Sequence, residues 1–112
     1  MQTIDLAASL EAITELWTPR TVARVNDVDV KLVKFSGDFV WHHHEHEDEL
    51  FLVVRGRMTM HLRDGDVELG EGQMMVVPRG VEHRPEATDE CSVMLVEPSS
   101  TKRKGNLEDP TG

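Results

Sequence analysis

The segment from Trp41 to Glu49 combines histidines and carboxylates at a density that suggests metal chemistry. It contains four of the chain's six histidines and four carboxylate residues. If the segment enters as a β-strand, His42 and His44 project from one face, because side chains along a strand alternate with a period of two. Glu49 follows after a short loop and can return its carboxylate beside the two imidazoles. Imidazoles and a carboxylate together suit a borderline divalent ion such as Fe, Mn, Ni, Zn or Cu.

A fourth ligand has to come from elsewhere in the chain. His83 follows the turn Pro78-Arg79-Gly80, on a later strand that a closed barrel could bring alongside the first segment. Three neutral imidazoles and one carboxylate leave coordination positions open for water or substrate. The pattern predicts one divalent transition metal ion per chain, held by His42, His44, Glu49 and His83.

One helix and a series of strands must position these residues. The apolar residues near the N-terminus recur at helical intervals and predict an α-helix from about Asp5 to Leu16, which Pro19 ends. They are Leu6, Leu10, Ile13 and Trp17. From Thr21 onward the period changes to two, which predicts strands over about residues 28–33, 39–44, 50–55, 58–63, 66–69, 74–77, 82–86 and 91–97.

Turn residues separate these strands. Ser36 and Gly37 are expected to break the run after the first strand. Asp64-Gly65 is the favoured pair for a two-residue hairpin turn, in which both central residues need a positive φ. Seven or more short strands with turns about every eight to twelve residues indicate an all-β sandwich or small barrel.

The composition describes one small domain and excludes several partners. The chain has 112 residues, 38% of them hydrophobic, and a net charge of −9 from 12 basic and 21 acidic residues. Without a cluster of Lys and Arg, such a chain is repelled by phosphate backbones, so no nucleic-acid partner is expected. No run of about 18 apolar residues and no basic leader occurs, so we expect the chain neither to span a membrane nor to be secreted. The single cysteine, Cys91, forms no internal disulfide, which fits the cytoplasm.

The spacing of two motifs resembles that of the cupins. The first motif is Gly37, then His42-His43-His44, then Glu49 after four residues and Gly56 after six more. The second is Gly72, then Pro78-Arg79-Gly80, then His83, with Ala87 where the family has an asparagine that is not a ligand. The resemblance implies a single-domain jelly-roll β-barrel with a short N-terminal α-helix, and it implies that His42, His44, Glu49 and His83 are the metal ligands.

The same resemblance, with the composition, divides the chain into three segments. Residues 1–20 form the N-terminal helix and a linker, residues 21–98 form the cupin barrel, and residues 99–112 form a tail that is loosely ordered or packed on a partner subunit. We expect a homodimer, because the family resemblance implies one and because the edge strands of a small sandwich need cover.

The remaining histidines are weaker candidates for the metal. His46 could replace His42 or His44, but it leaves only two residues before Glu49, one fewer than the family pattern, so we favour the mouth of the site. His43 alternates to the opposite face, which favours a surface or partner-facing position. His61 lies within a predicted strand and is interpreted as structural or exposed.

Three classes of function remain open, and one of them is structural: the metal stabilises a small barrel and the function lies in dimer contacts. The first is a metal-dependent enzyme acting on a small organic molecule, as a dioxygenase or an isomerase. The alternative is a small-molecule binding or sensing module whose metal is structural or non-catalytic. Met60 and Met75, with Phe51, could line a cavity above the metal, and Arg55 and Arg57 could pair with a substrate carboxylate. Core packing and an exposed turn are the commoner positions for these methionines and arginines.

Overall fold

The computed structural model describes residues 1–108. Over these residues it has one α-helix, seven β-strands and a terminal 3-10 turn. The elements are α1 (Leu6–Glu11), β1 (Arg20–Val25), β2 (Val28–Asp38), β3 (Glu49–Arg55), β4 (Met58–Leu62), β5 (Gly65–Leu69), β6 (Met74–Val77), β7 (His83–Pro98) and the 3-10 turn Gly105–Leu107.

Strand β7 joins the two halves of the sheet. It pairs antiparallel with β2 over residues 86–98, with β3 over residues 92–96 and with β4 over residues 83–86. The strand order is β1-β2-β7-β3-β6, with β5 attached through β4. One 16-residue strand therefore replaces the two strands predicted over 82–86 and 91–97. The antiparallel, strand-dominated arrangement with one short helix confirms the predicted all-β jelly-roll architecture.

The region between β2 and β3 differs from the prediction in two ways. Strand β2 continues through Ser36 and Gly37 to Asp38, and Gly37, with a φ of 80°, accommodates a shift of register instead of a break. Residues 39–44, predicted as a strand, form one isolated bridge, between His42 and His83, and one further backbone hydrogen bond, from the Phe39 N–H to Pro85 O at 3.0 Å. A single pair is too little for a strand, although it is enough to position His42.

Helix α1 is shorter than predicted, and Trp17 packs its indole on Phe35 instead of extending the apolar face of the helix. The Asp5 side chain accepts a hydrogen bond from Ala8 N at 3.0 Å and caps the helix. The Ile13 N–H donates to Leu10 O, a tighter turn that closes the helix end. Trp17 has a φ of 60° and turns its indole toward Phe35, away from the helix face that Leu10 defines.

The hydrophobic core lies between the two halves of the sheet. Its fully buried members include Val53, Met60, Cys91 and Val93. A smaller cluster formed by Leu10, Ile13 and Leu32 holds the helix against the outside of β2. This packing needs no disulfide, and Cys91 is a free, buried thiol, as expected.

Two connections show how the chain turns. Asn26 and Asp27 link β1 to β2, and Asn26 has a φ of 55°. In the β4–β5 hairpin the two loop residues are Arg63 and Asp64, and Gly65 is already paired with Leu62 as the first residue of β5. The hairpin is confirmed, but its turn begins one residue earlier than expected.

The described part of the tail, residues 99–108, packs against the chain's own His42–Glu49 region. Residues 109–112, which belong to the same predicted tail, lie outside the described residues. Among residues 1–108, no helix has the length and apolar character needed to cross a bilayer.

Candidate metal centre

Two backbone hydrogen bonds bring the histidine motifs together. The His42 N–H donates to His83 O at 3.1 Å, and the His83 N–H donates to His42 O at 2.9 Å. His83 is the first residue of β7, and Glu49 is the first residue of β3. The site therefore forms where the two strands begin, beside the segment that carries His42 and His44.

Three imidazoles and one carboxylate converge in the interior. The ring centroids are separated by 4.3 Å for His42 and His83, 5.1 Å for His42 and His44, and 5.6 Å for His44 and His83. One ring nitrogen of each histidine lies within 4.8 Å of the other two. Glu49 Oε1 lies 3.3 Å from His44 Nε2 and 3.5 Å from His83 Nε2. All four residues predicted as ligands are thus buried and close together.

Backbone carbonyls set the tautomers of two histidines. Nδ1 of His42 lies 2.9 Å from Val40 O, and Nδ1 of His83 lies 3.0 Å from Val81 O. Since a carbonyl oxygen only accepts, each Nδ1 carries the proton and each Nε2 keeps its lone pair for the interior. This is the second hydrogen bond that metal-binding histidines commonly make.

Several nitrogens of the cluster are buried without hydrogen bonds. Among the described residues, His83 Nε2 and both ring nitrogens of His44 have no hydrogen-bond partner. Burying such atoms unpaired costs about 1–3 kcal/mol each, so native structures rarely leave several together. A cation bound by the lone pairs removes much of that cost. The three-histidine group is therefore compatible with a metal ion.

The local electrostatics favour a neutral His42 beside an ionised Glu49. Burial, together with the neighbouring His83, lowers the pKa of His42 to about 4. Burial opposes the charge of Glu49, but the close approach of His44, His83 and Glu97 to its carboxylate outweighs burial and lowers the pKa of Glu49. Neutral imidazoles and a carboxylate are the forms that ligate a cation.

Glu97, near the end of β7, is a polar residue of the site that the sequence did not single out. Burial and the adjacent Glu49 raise its pKa to about 9, while the Lys31 ammonium, 2.8 Å from Glu97 Oε1, opposes the shift. Its only sequence signal is an acidic residue at an inward-facing position of an apolar strand. The pairing of Glu97 with Asp29 of β2 depends on the strand register, which that sequence signal does not predict.

A cavity of about 200 Å³ opens beside the cluster. His42 and Glu49 lie on its wall, and Lys31 and Glu97 add polar groups. Most of the lining is apolar and much of it aromatic: Trp17, Phe35, Phe39 and Phe51 with Val33 and Leu95. Trp17 stacks on Phe35 and Phe39 at centroid distances of 4.5 and 4.9 Å, and its indole N–H donates to Ser36 O. The wall nearest the cluster is therefore held in one arrangement.

The other histidines lie away from the convergent group. The His46 side chain is 85% exposed and 3.8 Å from Glu45. His43 is half-buried and binds Asn106 through its backbone. His61 makes hydrogen bonds with Asp66 and Glu86 on the β4–β5 side of the sheet.

The other predicted cavity residues have mixed outcomes. Phe51 lines the cavity, whereas Met60 is fully buried in the core and Met75 is partly buried against it. Arg55 and Arg57 are exposed, and Arg57 lies 3.5 Å from Glu68, away from the histidines.

The chain is similar to several known proteins over most of its length. It is 32% identical over 81 residues to the protein YdbB of Bacillus subtilis, covering 71% of this chain and 72% of that one. A cupin-2 domain containing protein from Shewanella frigidimarina is 42% identical, with a TM-score of 0.84, over 85% of this chain and 93% of that chain. Protein NMB1881 from Neisseria meningitidis is 39% identical, with a TM-score of 0.80, over 88% of this chain and 100% of that chain.

The family model of the cupin domain matches residues 29–97, which include both histidine motifs and six of the seven strands. This match agrees with the resemblance carried by the two motifs and with the antiparallel jelly-roll arrangement. The chain is a member of the cupin family.

Proposed function

We propose that the protein binds one divalent transition metal ion through His42, His44, Glu49 and His83. The single observation that carries the proposal is the convergence of three buried imidazoles, several of whose nitrogens lack any other partner among residues 1–108. The lone pairs at His42 Nε2 and His83 Nε2 are directed inward by the Nδ1 hydrogen bonds. The donor set fits Fe, Mn, Ni, Zn or Cu.

The proposed activity is that of a metal-dependent enzyme, an oxygenase or an isomerase, acting on a small organic molecule. When bound, an ion of this class supplies Lewis-acid or redox chemistry. The chain's own contribution is the cavity, whose aromatic wall binds an apolar group and excludes water, and whose Lys31 and Glu97 orient polar groups. An apolar cavity of about 150 Å³ accepts a benzene molecule, so a ligand about the size of a single ring fits here.

The second candidate is a module that binds or senses a small molecule without converting it. The observation that favours it is the scarcity of further reactive groups: the chain has no tyrosine, and its only cysteine is buried in the core. Turnover that requires the ion supports the enzyme. Saturable ligand binding without turnover supports the binding module.

We also propose that the protein works as a homodimer in the cytoplasm. Strand β6 is at an edge of the sheet, and Met74 and Val76 on it are 65% and 52% exposed. A second copy covering this edge would remove apolar surface from water. Sedimentation at several concentrations tests the dimer, and a monomer throughout would contradict it.

Elemental analysis of protein purified without chelator or nickel resin tests the metal. We expect about one equivalent of a transition metal in the wild type, loss of the metal in His83→Ala, and retention in His61→Ala, a histidine outside the cluster. Equal metal content in the two variants, or none in the wild type, would contradict the proposal.

A further inference from the structure

The segment of residues 99–108, here called the strap, crosses the segment that carries the histidine cluster. It leaves the end of β7 and touches three places on the same chain. Ser100 Oγ donates to Glu47 at 2.7 Å, Arg103 donates to Trp17 O at 2.9 Å, and Asn106 binds His43. The strap thus contacts both the ligand-bearing segment and the aromatic wall of the cavity.

Asn106 holds both backbone hydrogen-bonding groups of His43. The His43 N–H donates to Asn106 Oδ1 at 2.8 Å, and the Asn106 N–H donates to His43 O at 2.9 Å. His43 separates the candidate ligands His42 and His44. Because residues 39–44 are not part of a strand, these two bonds take the place of strand pairing at that point.

The backbone on either side of His43 is fixed by other parts of the chain. His42 pairs with His83, and His44 O accepts from Gly80 N at 2.8 Å. The residues on either side of His43 are therefore held by the stretch that contains Gly80 and His83, and Asn106 supplies the middle attachment.

His44 depends on this attachment more than the other two histidines do. Nδ1 of His42 and Nδ1 of His83 each face a carbonyl, which fixes those two rings. Neither nitrogen of His44 has a hydrogen-bond partner among residues 1–108. The direction of the His44 ring is consequently set by its backbone and by whatever packs against it.

Gly105 packs the strap against His44 at a distance that only glycine permits. A Cβ on Gly105 would lie 2.1 Å from His43 O and 3.1 Å from His44 Nδ1, and the residue has a φ of 52°. Any side chain at residue 105 would therefore clash with the ligand-bearing segment and displace the strap from it. Glycine lets the backbone cover the outer edge of the His44 ring.

We propose that the strap is part of the metal centre and that Asn106 is a positioning residue for His44. This inference rests on the proposed metal site. Removing a hydrogen bond that orients a metal ligand typically weakens metal affinity by about 10- to 100-fold. Asn106 is itself exposed, so its truncation leaves no cavity in the core.

The test compares Asn106→Ala with Ser100→Ala in the full chain, using Co²⁺ as the probe. Ser100→Ala is the matched control, because it also removes one hydrogen bond between the strap and the ligand-bearing segment, but at Glu47. Dissociation constants come from competition with a chromophoric chelator, and the visible spectrum of bound Co²⁺ reports the ligand geometry. Thermal unfolding of the metal-free proteins shows whether the fold has changed.

We expect Asn106→Ala to bind Co²⁺ at least about tenfold more weakly than the wild type, with an altered spectrum and the same metal-free unfolding temperature. Ser100→Ala should match the wild type. Asn106→Asp, which keeps an acceptor for the His43 N–H, should recover most of the affinity. Gly105→Ala should weaken binding as Asn106→Ala does, since it displaces the same contact.

Three results would overturn the inference. Wild-type affinity and spectrum in Asn106→Ala would show that His44 needs no attachment at His43. An equal loss in Ser100→Ala would show that the strap acts only as a general cover. Wild-type protein that binds no Co²⁺ would contradict the proposed metal site and the role of Asn106 with it, whereas the first two results leave the metal site standing.

Discussion

His44→Ala and His46→Ala form a matched pair for testing which histidines bind the metal. Both remove an imidazole from the same short segment, two positions apart in the sequence. His44 is buried with its Nε2 3.3 Å from Glu49, whereas His46 is 85% exposed and 3.8 Å from Glu45. The structure therefore predicts opposite outcomes for two chemically identical substitutions.

The size of the effect follows from sharing the binding free energy among the ligands. Protein sites with four ligands bind zinc with about 10–16 kcal/mol near neutral pH, or about 3 kcal/mol for each ligand. A loss of about 3 kcal/mol corresponds to about 100-fold weaker binding. We expect this loss for His44→Ala and no measurable change for His46→Ala, because an exposed imidazole contributes little to a buried site.

The assay is competition for Zn²⁺ against a chromophoric chelator, with metal-free unfolding measured alongside. His44→Ala should bind at least about 100-fold more weakly while its metal-free form still unfolds cooperatively. Retention of metal by His44→Ala and its loss from His46→Ala would refute the ligand assignment. Equal retention by both variants would refute the four-residue site.

Three further predictions concern residues outside the centre. Hydrogen bonds with Glu86 and a second carboxylate raise the pKa of His61. Charged His61 therefore stabilises the fold below its unfolded pKa of about 6.5, and this stabilisation is lost as the pH rises through the higher folded pKa. Urea unfolding should show that the free energy of unfolding falls less above about pH 6 in His61→Gln than in the wild type. Burial raises the pKa of Cys91 to about 11, so a thiol reagent should react only after unfolding, and rapid reaction of the native protein would contradict that burial. Gly56→Ala should lower the free energy of unfolding by about 1–3 kcal/mol, because Gly56 has a φ of 89° and a Cβ there would lie 3.1 Å from a backbone carbonyl oxygen. Gly37→Ala should lower it less in urea denaturation, because Gly37 has a φ of 80° but no atom within 4 Å of the added Cβ. The reverse order would count against the close approach at Gly56.

The fold could be predicted from the sequence where periodicity and turn residues agree. Alternating apolar residues located strands near β3 to β6, and the hairpin between β4 and β5 was expected within one residue. Prediction failed where tertiary contacts override local signals. Gly37 marks a register shift inside β2, because the neighbouring β7 continues to pair with the chain beyond it.

Trp17 shows why a periodic pattern alone is ambiguous. Its spacing from Ile13 fits a helix, but the helix ends at Glu11 and the indole stacks on Phe35 and Phe39 in the cavity wall. Those two phenylalanines belong to a distant part of the sequence. Local spacing carries no information about such a partner.

The sequence motifs predict that His42, His44, Glu49 and His83 lie close together, and the four side chains do form one buried cluster; that they bind a metal stays a prediction. Two motifs with fixed spacing encode that convergence, because they place candidate ligands at the starts of β3 and β7. The contributions of Glu97 and Asn106 could not be predicted. They depend on strand register and on where the strap settles, which single-residue patterns do not specify.

Diffraction from crystals of the metal-loaded protein, with data collected at the absorption edge of the bound metal, tests the central claim most directly. We predict one anomalous peak per chain, about 2.0–2.2 Å from a nitrogen of each of His42, His44 and His83 and from a Glu49 oxygen. A peak elsewhere, or a protein that accepts no ion with these four side chains in place, would contradict it.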